Sequence, residues 1–519
     1  MQMSTIASNN KRIAKNTMFL YMRMLVSLVI QLYTSRVILD TLGASDYGIY
    51  NVVGGMVAMF AFMSNTMATA SQRFMSYAIG IGDKNDLRQT YVVSTIILWV
   101  IAAIVFVLVE IIGLYLLYNH LVIPDGRLSA ATWVFQFSVI SLFISIISVP
   151  YNAALIAHEK MSAFACFSLV DIFLRLGVAL LLSSIAESFD KLVVYSGLLM
   201  SISILLRILY AIYCKRHFEE CSGNRFVYDK AKGKCMLAFF GWNTIGSLSY
   251  VAKEQGINIL INIFFGTIVN AAKGITTQVT GAVQGFISNF QLAMNPQITK
   301  YFAQGDYMNL FNLVQRGAKF SVFLYFFLAL PIFFDLDFIL NVWLVDVPEH
   351  TMTFIRLTFI LMMIDALSSP LITCLLATGK VKWYQIIVGG LLMMNLPVSY
   401  VTLKFGCVPE STILVAIIIS ALSLIIRLYM LKRYIDFPIG AFFSSVLSRS
   451  VLVIAFSTAI GYILYSCIPF VGFTRLIITF IESWVVAAVI IYYLGLSKEE
   501  KDICILMIQK IVNKIREKS

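Results

Sequence analysis

Fourteen apolar segments of about 20 residues divide this chain, and the loops between them alternate between basic and acidic. The segments centre on Leu28, Met59, Ile104, Ile144, Leu174, Ile204, Leu248, Val283, Phe327, Leu361, Leu391, Ile418, Phe456 and Ala487. Each is long enough to cross a hydrocarbon core ~30 Å thick. Lipid offers no hydrogen-bond partner to an open sheet edge, so every segment is expected to be a helix. With 60% hydrophobic residues, 13% charged and a mean hydropathy of +0.86, the chain departs from a soluble domain's roughly 45–50% apolar and 25% charged balance. That balance excludes a soluble enzyme with a large core. The opening "MQMSTIASNNKRIAKN" is polar and basic. The apolar run after it is too long for a signal-peptide h-region and reads as the first span.

Cytoplasmic loops carry an excess of lysine and arginine. With the N-terminus inside, the inner segments hold 26 basic residues and the outer loops four: Arg127, Lys191, Lys404 and Arg475. The outer loops are acidic, as at Asp335, Asp337, Asp346 and Glu349. One missed span would swap the sides of every later loop, so an even count with both termini cytoplasmic is expected. The net charge of +12 follows from this inner-leaflet bias and needs no nucleic-acid partner.

The chain repeats itself. At a shift of 220, Ser148, Pro150, Ala157 and Lys160 fall on Ser368, Pro370, Ala377 and Lys380, and Arg207 falls on Arg427. Weaker matches precede these: Gly82-Asp83 with Gly305-Asp306 at 223, and Gly48-Ile49 with Gly274-Ile275 at 226. Helices one to six thus resemble helices seven to twelve, and an even number per repeat makes the repeat parallel. The expected fold is an all-α polytopic membrane protein with about fourteen transmembrane helices. It has an N-lobe (1–213), a basic cytoplasmic linker (214–235), a C-lobe (236–434), two extra helices (435–496) and an amphipathic cytoplasmic tail (497–519), which lies on the inner membrane surface.

Nine cations lie in or at the ends of spans: Arg23, Arg36, Arg73, Arg175, Arg207, Lys253, Lys273, Arg356 and Arg427. Five acids accompany them: Glu110, Asp171, Glu254, Asp365 and Glu482. An intramembrane charge costs at least ~2.5–3.5 kcal/mol, and nine cations cannot pair one to one with five anions. Arg207 and Arg427, near inner helix ends, read as snorkelling side chains. Asp171 and Arg175 are spaced for a structural ion pair as much as for a functional one. Arg23, Arg36, Arg73, Arg175, Lys253, Lys273 and Arg356 form the candidate cationic cavity lining, where a guanidinium fork suits phosphate. Asn258, Asn262, Gln278, Gln284 and Asn289, on the seventh and eighth spans, form a candidate polar wall for sugar hydroxyls. Asp171, Glu254 and Asp365 are the candidate ion-coupling carboxylates.

The aqueous segments hold no catalytic constellation. G-x-x-x-x-G-K-[ST] is absent, and neither the eight cysteines nor the four histidines have metal or disulfide spacing. The chain is not expected to be an enzyme or to hold a metal or cofactor. Uphill transport would draw on an ion gradient, H+ or Na+.

Three features carry a family resemblance: "NTMFLYMRMLVSLVIQLYTSRVILDTLGASDYGIYNVVGG" (16–55), "NPQITKYFAQGD" (295–306) and the 6+6+2 layout. With these the chain resembles, over essentially its whole length, the polysaccharide-transporter branch of the multidrug/oligosaccharidyl-lipid/polysaccharide (MOP) exporter superfamily. The resemblance implies a bacterial inner-membrane flippase with alternating access. Its cargo would be polyprenyl-diphosphate-linked oligosaccharide for O-antigen, capsule or exopolysaccharide. Partners would be that lipid-linked glycan, the membrane, and glycan polymerase and chain-length proteins. The alternatives are a peptidoglycan lipid-precursor flippase, a multidrug/cation antiporter of the same superfamily, and a structural scaffold in a glycan-export complex. An antiporter would want an acid early in the N-lobe, yet the first span carries Arg23 and Arg36 and no acid before Asp40.

Overall fold

The computed structural model describes residues 2–502, except 59, 120–122, 124–125, 183, 185–188, 223–228 and 345–346. The middle of the expected linker and most of the expected surface tail therefore lie outside the described residues. The described residues are mostly helical, and no strand occurs among them. In chain order the helices are α1 (Gln2–Ala58), α2 (Ala61–Ile81), α3 (Lys84–Asn119), α4 (Leu128–Ala157), α5 (Met161–Leu182), α6 (Lys191–His217) and α7 (Glu219–Ser222). They continue with α8 (Lys230–Ala303), α9 (Tyr307–Phe334), α10 (Leu336–Trp343), α11 (Thr351–Ala377), α12 (Val381–Lys404), α13 (Ser411–Ile435), α14 (Ile439–Ser466) and α15 (Gly472–Gly495).

Among the described residues, eleven helices are long and apolar enough to cross a membrane, against fourteen expected. The three expected spans outside that set, one carried by the end of α1 and by α2 and two by α8, lie on helical backbone. They are stretches where serine, threonine, asparagine and glutamine replace aliphatic residues.

The internal repeat is visible in the backbone. The ends of α4 and α11 (Ala157, Ala377), the starts of α5 and α12 (Met161, Val381) and the starts of α6 and α13 (Lys191, Ser411) are each 220 positions apart. Pro150 and Pro370 sit inside α4 and α11, where each removes one N–H from the helix ladder. Earlier in the chain the offset is 223. Gly43 breaks α1 at φ 76 and Gly266 breaks α8 at φ 77, a backbone region open to glycine and costly for other residues. Asp83 accepts from the backbone N–H of Asn85 and Asp86, and Asp306 from that of Asn309, so the paired Gly-Asp motifs each end one helix and cap the next. The match at 226 between Gly48 and Gly274 does not survive. The break glycines fix the register at 223, and isolated identities between two apolar helices arise by composition.

The chain forms two compact units, Met1–Val251 with Leu292–Leu310 and Thr373–Gly390, and Ala252–Gln291 with Phe311–Ile372 and Leu391–Ser519. The first holds the expected N-lobe together with three pieces that the sequence reading assigns to the C-lobe. Its core runs along α3 and α4 through Leu98, Val105, Val134, Phe135 and Ile146, each at most 2% exposed. The second is built on Ile261, Ala272, Phe354 and Ile413, with Phe326, Leu330 and Ala487 joining α9 to α15.

Candidate functional site

Within the first unit, α4, α5 and α6 surround a cavity of 730 Å³. α4 presents Ser138, Ser141, Ser145 and Ser148 to it. Their spacing of three, four and three residues is one helical face. α5 adds Ser168, Asp171 and Arg175, and α6 adds Ser196, Ser203, Arg207 and Tyr210. Ser141, Ser148, Ser168, Ser196 and Ser203 donate to carbonyls of their own helices at 2.6–3.1 Å. A hydroxyl whose proton is so engaged keeps its lone pairs for an incoming donor. The carboxamide oxygen of Asn152, also in the lining, is buried with no hydrogen-bond partner among the described residues. The wall is therefore rich in acceptors.

Two guanidinium groups supply the charge. Arg175 Nε donates to Asp171 Oδ1 at 2.7 Å, one helical turn away. Arg207 Nη1 donates to the Ile147 carbonyl at 2.8 Å, and its guanidinium lies over Trp99 and Tyr151. Arg207 is thus turned into the protein beside the cavity, not extended toward a headgroup as its place near a helix end predicts. Arg23 reaches the same region: its Nη1 donates to Ser168 Oγ at 3.4 Å and its guanidinium covers Phe164.

The second unit gathers another group of charges. Lys253, 4% exposed, lies 3.7 Å from Glu254. Asp365 is within electrostatic reach of Lys253, Arg427 and Glu254 and beside Ser420, and Lys273 within reach of Glu254 and Lys253. Arg427 is 5% exposed and within electrostatic reach of Asp365, so it is buried in the protein and does not snorkel. Four expected site residues (Lys253, Glu254, Lys273 and Asp365) therefore belong to one electrostatically linked group, with Arg427 as a fifth.

The remaining candidates are dispersed. Arg36 is exposed. Arg356 is exposed and covers Phe333. Arg73 is spent on the end of α11, donating to the carbonyls of Leu376 and Ala377 at 3.0 and 2.8 Å. Of the expected polar wall, Asn262 and Gln278 are exposed, Asn258 and Gln284 half-buried, and Asn289 buried with its amide on the Gly285 carbonyl. The serine face of α4 lies outside the set of residues expected from sequence. Its signal was the run "SVISLFISIIS" (138–148), in which only a helical period separates polar from apolar positions.

Asp46-Tyr47-Gly48, within the quoted 16–55 stretch, also has a structural role. Asp46 takes hydrogen bonds from Arg127, whose guanidinium also grips Asp190 at 2.7 and 3.2 Å. Asp190 in turn caps α6 through the N–H of Leu192 and Val193. Tyr50 lines the cavity and packs edge-on against Tyr195 of α6. The motif thus holds the start of α6, and with it Ser196, Ser203 and Arg207, against α1.

No protein-family profile matches the chain, and no curated protein does. Solved structures do. A multidrug-resistance MATE transporter of the MOP superfamily in an outward-facing conformation aligns over 82% of this chain and 96% of its own, with a TM-score of 0.68 and 11% identity. A MATE structure in the bent conformation aligns over the same shares with a TM-score of 0.66 and 12% identity. A MOP-superfamily transporter from Pyrococcus furiosus, described as having a binding pocket of reverse polarity that suggests a different function, aligns over 83% and 96%, with a TM-score of 0.66 and 11% identity. The chain has the fold of the MATE transporters of the MOP superfamily, a multi-pass membrane fold.

Proposed function

We propose that this protein moves polyprenyl-diphosphate-linked oligosaccharides across the bacterial cytoplasmic membrane by alternating access, with both termini on the cytoplasmic side. The cavity of the first unit is the observation that carries this reading. Its serines offer acceptors to a cargo rich in hydroxyl donors, and Arg175 and Arg207 offer positive charge to an anionic group. A diphosphate-linked glycan has both features, and its lipid tail can stay in the bilayer. A proton or sodium gradient would supply the energy, with Asp171, Glu254 and Asp365 as the carboxylates that bind the ion. A glycan polymerase and chain-length proteins are the partners this role calls for.

A second reading keeps the fold and changes the cargo. Asp171 lies in the same cavity, and an acceptor-rich wall with a carboxylate also suits a cation, the cargo of a multidrug antiporter. Lipid-linked glycans extracted from a deletion strain separate the readings. Accumulation of an intact repeat unit on the inner leaflet, reversed by restoring the gene, supports the flippase and identifies its glycan. If the accumulating species is the peptidoglycan precursor, the cargo is that lipid instead. Absence of accumulation, with altered sensitivity to cationic drugs, favours the antiporter.

A further inference from the structure

Glu159 closes the turn between α4 and α5 at φ 58, a conformation that costs a non-glycine residue energy and persists only where its surroundings enforce it. Its side chain is 1% exposed. Gln297 Nε2 donates to both carboxylate oxygens, at 2.7 and 2.8 Å, and Lys300 Nζ donates to Oε1 at 2.5 Å. Asn16 adds a bond to the Glu159 carbonyl. The same turn in the second repeat, between α11 and α12, has Gly379 at φ 76, 220 positions on. Glycine adopts that backbone without strain, so nothing local requires a glutamate at 159.

The second repeat's turn is held in another way. Arg73, near the end of α2, donates to the last two carbonyls of α11, where a cation also meets the negative end of the helix dipole. Phe74 and Phe239 cover its guanidinium at 4.6 and 5.1 Å. The end of α2 and the end of α8, which carries Gln297 and Lys300, are the repeat equivalents that close in Gly82 and Gly305. Each repeat's second helix therefore clasps the turn after the other repeat's fourth helix. Between the clasps these two helices touch: a Cβ on Gly80 would come within 2.9 Å of the Lys300 carbonyl. The contacts lie inside the first unit, at the end from which the basic loops leave.

We propose that the Glu159–Gln297–Lys300 and Arg73–α11 clasps form a paired gate that closes the basic-loop end of the cavity and opens for access from that side. The proposal uses the transport reading only in requiring two access states, and it is independent of the cargo. A buried carboxylate held by a lysine and an amide is a discrete contact, and losing the lysine leaves the carboxylate buried without that counter-charge.

The test is side-specific labelling, without cargo, in membrane vesicles of both orientations. Ser145→Cys places the target thiol in the cavity, in a chain whose exposed Cys166, Cys235, Cys407 and Cys467, together with Cys504, are replaced by serine. Glu159→Gly removes the carboxylate and relieves the strained φ, so the turn itself is preserved. The expected result is a rise of at least about fivefold in labelling by an impermeant maleimide from the basic-loop face, the low end of typical coupling between two states, with a fall from the opposite face. Arg73→Gln should act in the same direction. The charge-swapped pair Glu159→Lys with Lys300→Glu should return labelling toward the parent. Unchanged labelling in Glu159→Gly overturns the gate and leaves a static brace. A rise from both faces also overturns it, because it marks general loosening. If Glu159→Gly does not accumulate in the membrane, Lys300→Met is judged by the same two outcomes.

Discussion

Arg127 Nε donates to Asp46 Oδ1 at 2.9 Å across 81 positions of sequence, and the same guanidinium holds Asp190, the cap of α6. Arg127, one of the four basic residues that the sequence pattern assigns to outer loops, thus ties the Asp46-Tyr47-Gly48 stretch of α1 to the helix that carries Arg207. Both partners are partly exposed, at 29% and 21% of side-chain surface, so each bond is screened. Asp46→Ala should therefore lower stability by about 1 kcal/mol, the upper end for exposed pairs, because the bond is one part of a fork. Thermal unfolding in detergent or nanodiscs measures this. A midpoint equal to the parent's would mean that α6 is positioned without the fork.

Arg207 faces the cavity while Arg36 and Arg356 are exposed. Arg207→Ala should reduce export roughly tenfold or more, on the scale of a lost charge-assisted bond of about 1.5–3 kcal/mol, with normal protein level in the membrane. Arg36→Ala and Arg356→Ala should leave export near the parent value. Repeat-unit accumulation in cells carrying each variant reads this. Equal defects in all three would put Arg36 and Arg356 in the cationic site, as expected from sequence, alongside Arg207.

The serine face of α4 should respond to bulk more than to polarity. Ser145→Ala removes one acceptor among many and should change export only a few-fold, in line with about 1 kcal/mol per hydrogen bond. Ser145→Phe fills the cavity and should block export without loss of membrane protein. If both variants behave alike in the accumulation assay, the cavity is not on the cargo's path.

Asp365, Glu254 and Lys253 form one charged group. If that group binds the coupling ion, Asp365→Asn should weaken the dependence of flipping on the proton or sodium gradient in proteoliposomes. Asp171→Asn, in the other unit, makes the comparison. Full gradient dependence in both variants and in Glu254→Gln would remove all three carboxylates from coupling.

Glu500 tests a different part of the chain. Burial raises its carboxyl pKa, but hydrogen bonds from Lys319 and from the Ser497 backbone outweigh that and hold it below the usual carboxylate value. A carboxyl depressed on folding stabilises above its unfolded pKa of about 4.3 and loses that contribution as pH falls through the folded value. The segment at 497–502 should therefore stay docked on α9 at neutral pH and release only in acid. Glu500→Gln should release it at pH 7. Hydrogen exchange of these residues follows both, and protection in the variant equal to the parent's would show that the ion pair does not hold the segment.

Several elements were legible in the sequence because each rests on a local rule. Span length, Gly-Asp boundaries, Pro150 with Pro370, and the 220-residue register all follow from what lipid and helix geometry permit along a single chain. Individual charges were not legible. Arg73 and Arg207 are the same residue type, each on a helix of the first unit, yet one is bound to the carbonyls of α11 and the other lines a serine-rich cavity. Arg427 reads as a helix-end residue and is buried near Asp365. An arginine side chain spans several ångströms and takes whichever partner the packed helices bring near, so its role is set by contacts hundreds of positions away. Glu159 is the clearest case. The repeat locates it opposite Gly379, but only tertiary structure, by bringing Gln297 and Lys300 to its carboxylate, explains why a glutamate occupies a glycine's conformation. Local pattern alone specifies a helical membrane protein built from two copies of one plan. Packing decided which polar groups face a cavity, which lock helices together and which are exposed, because those choices depend on distances across the fold that no local pattern encodes.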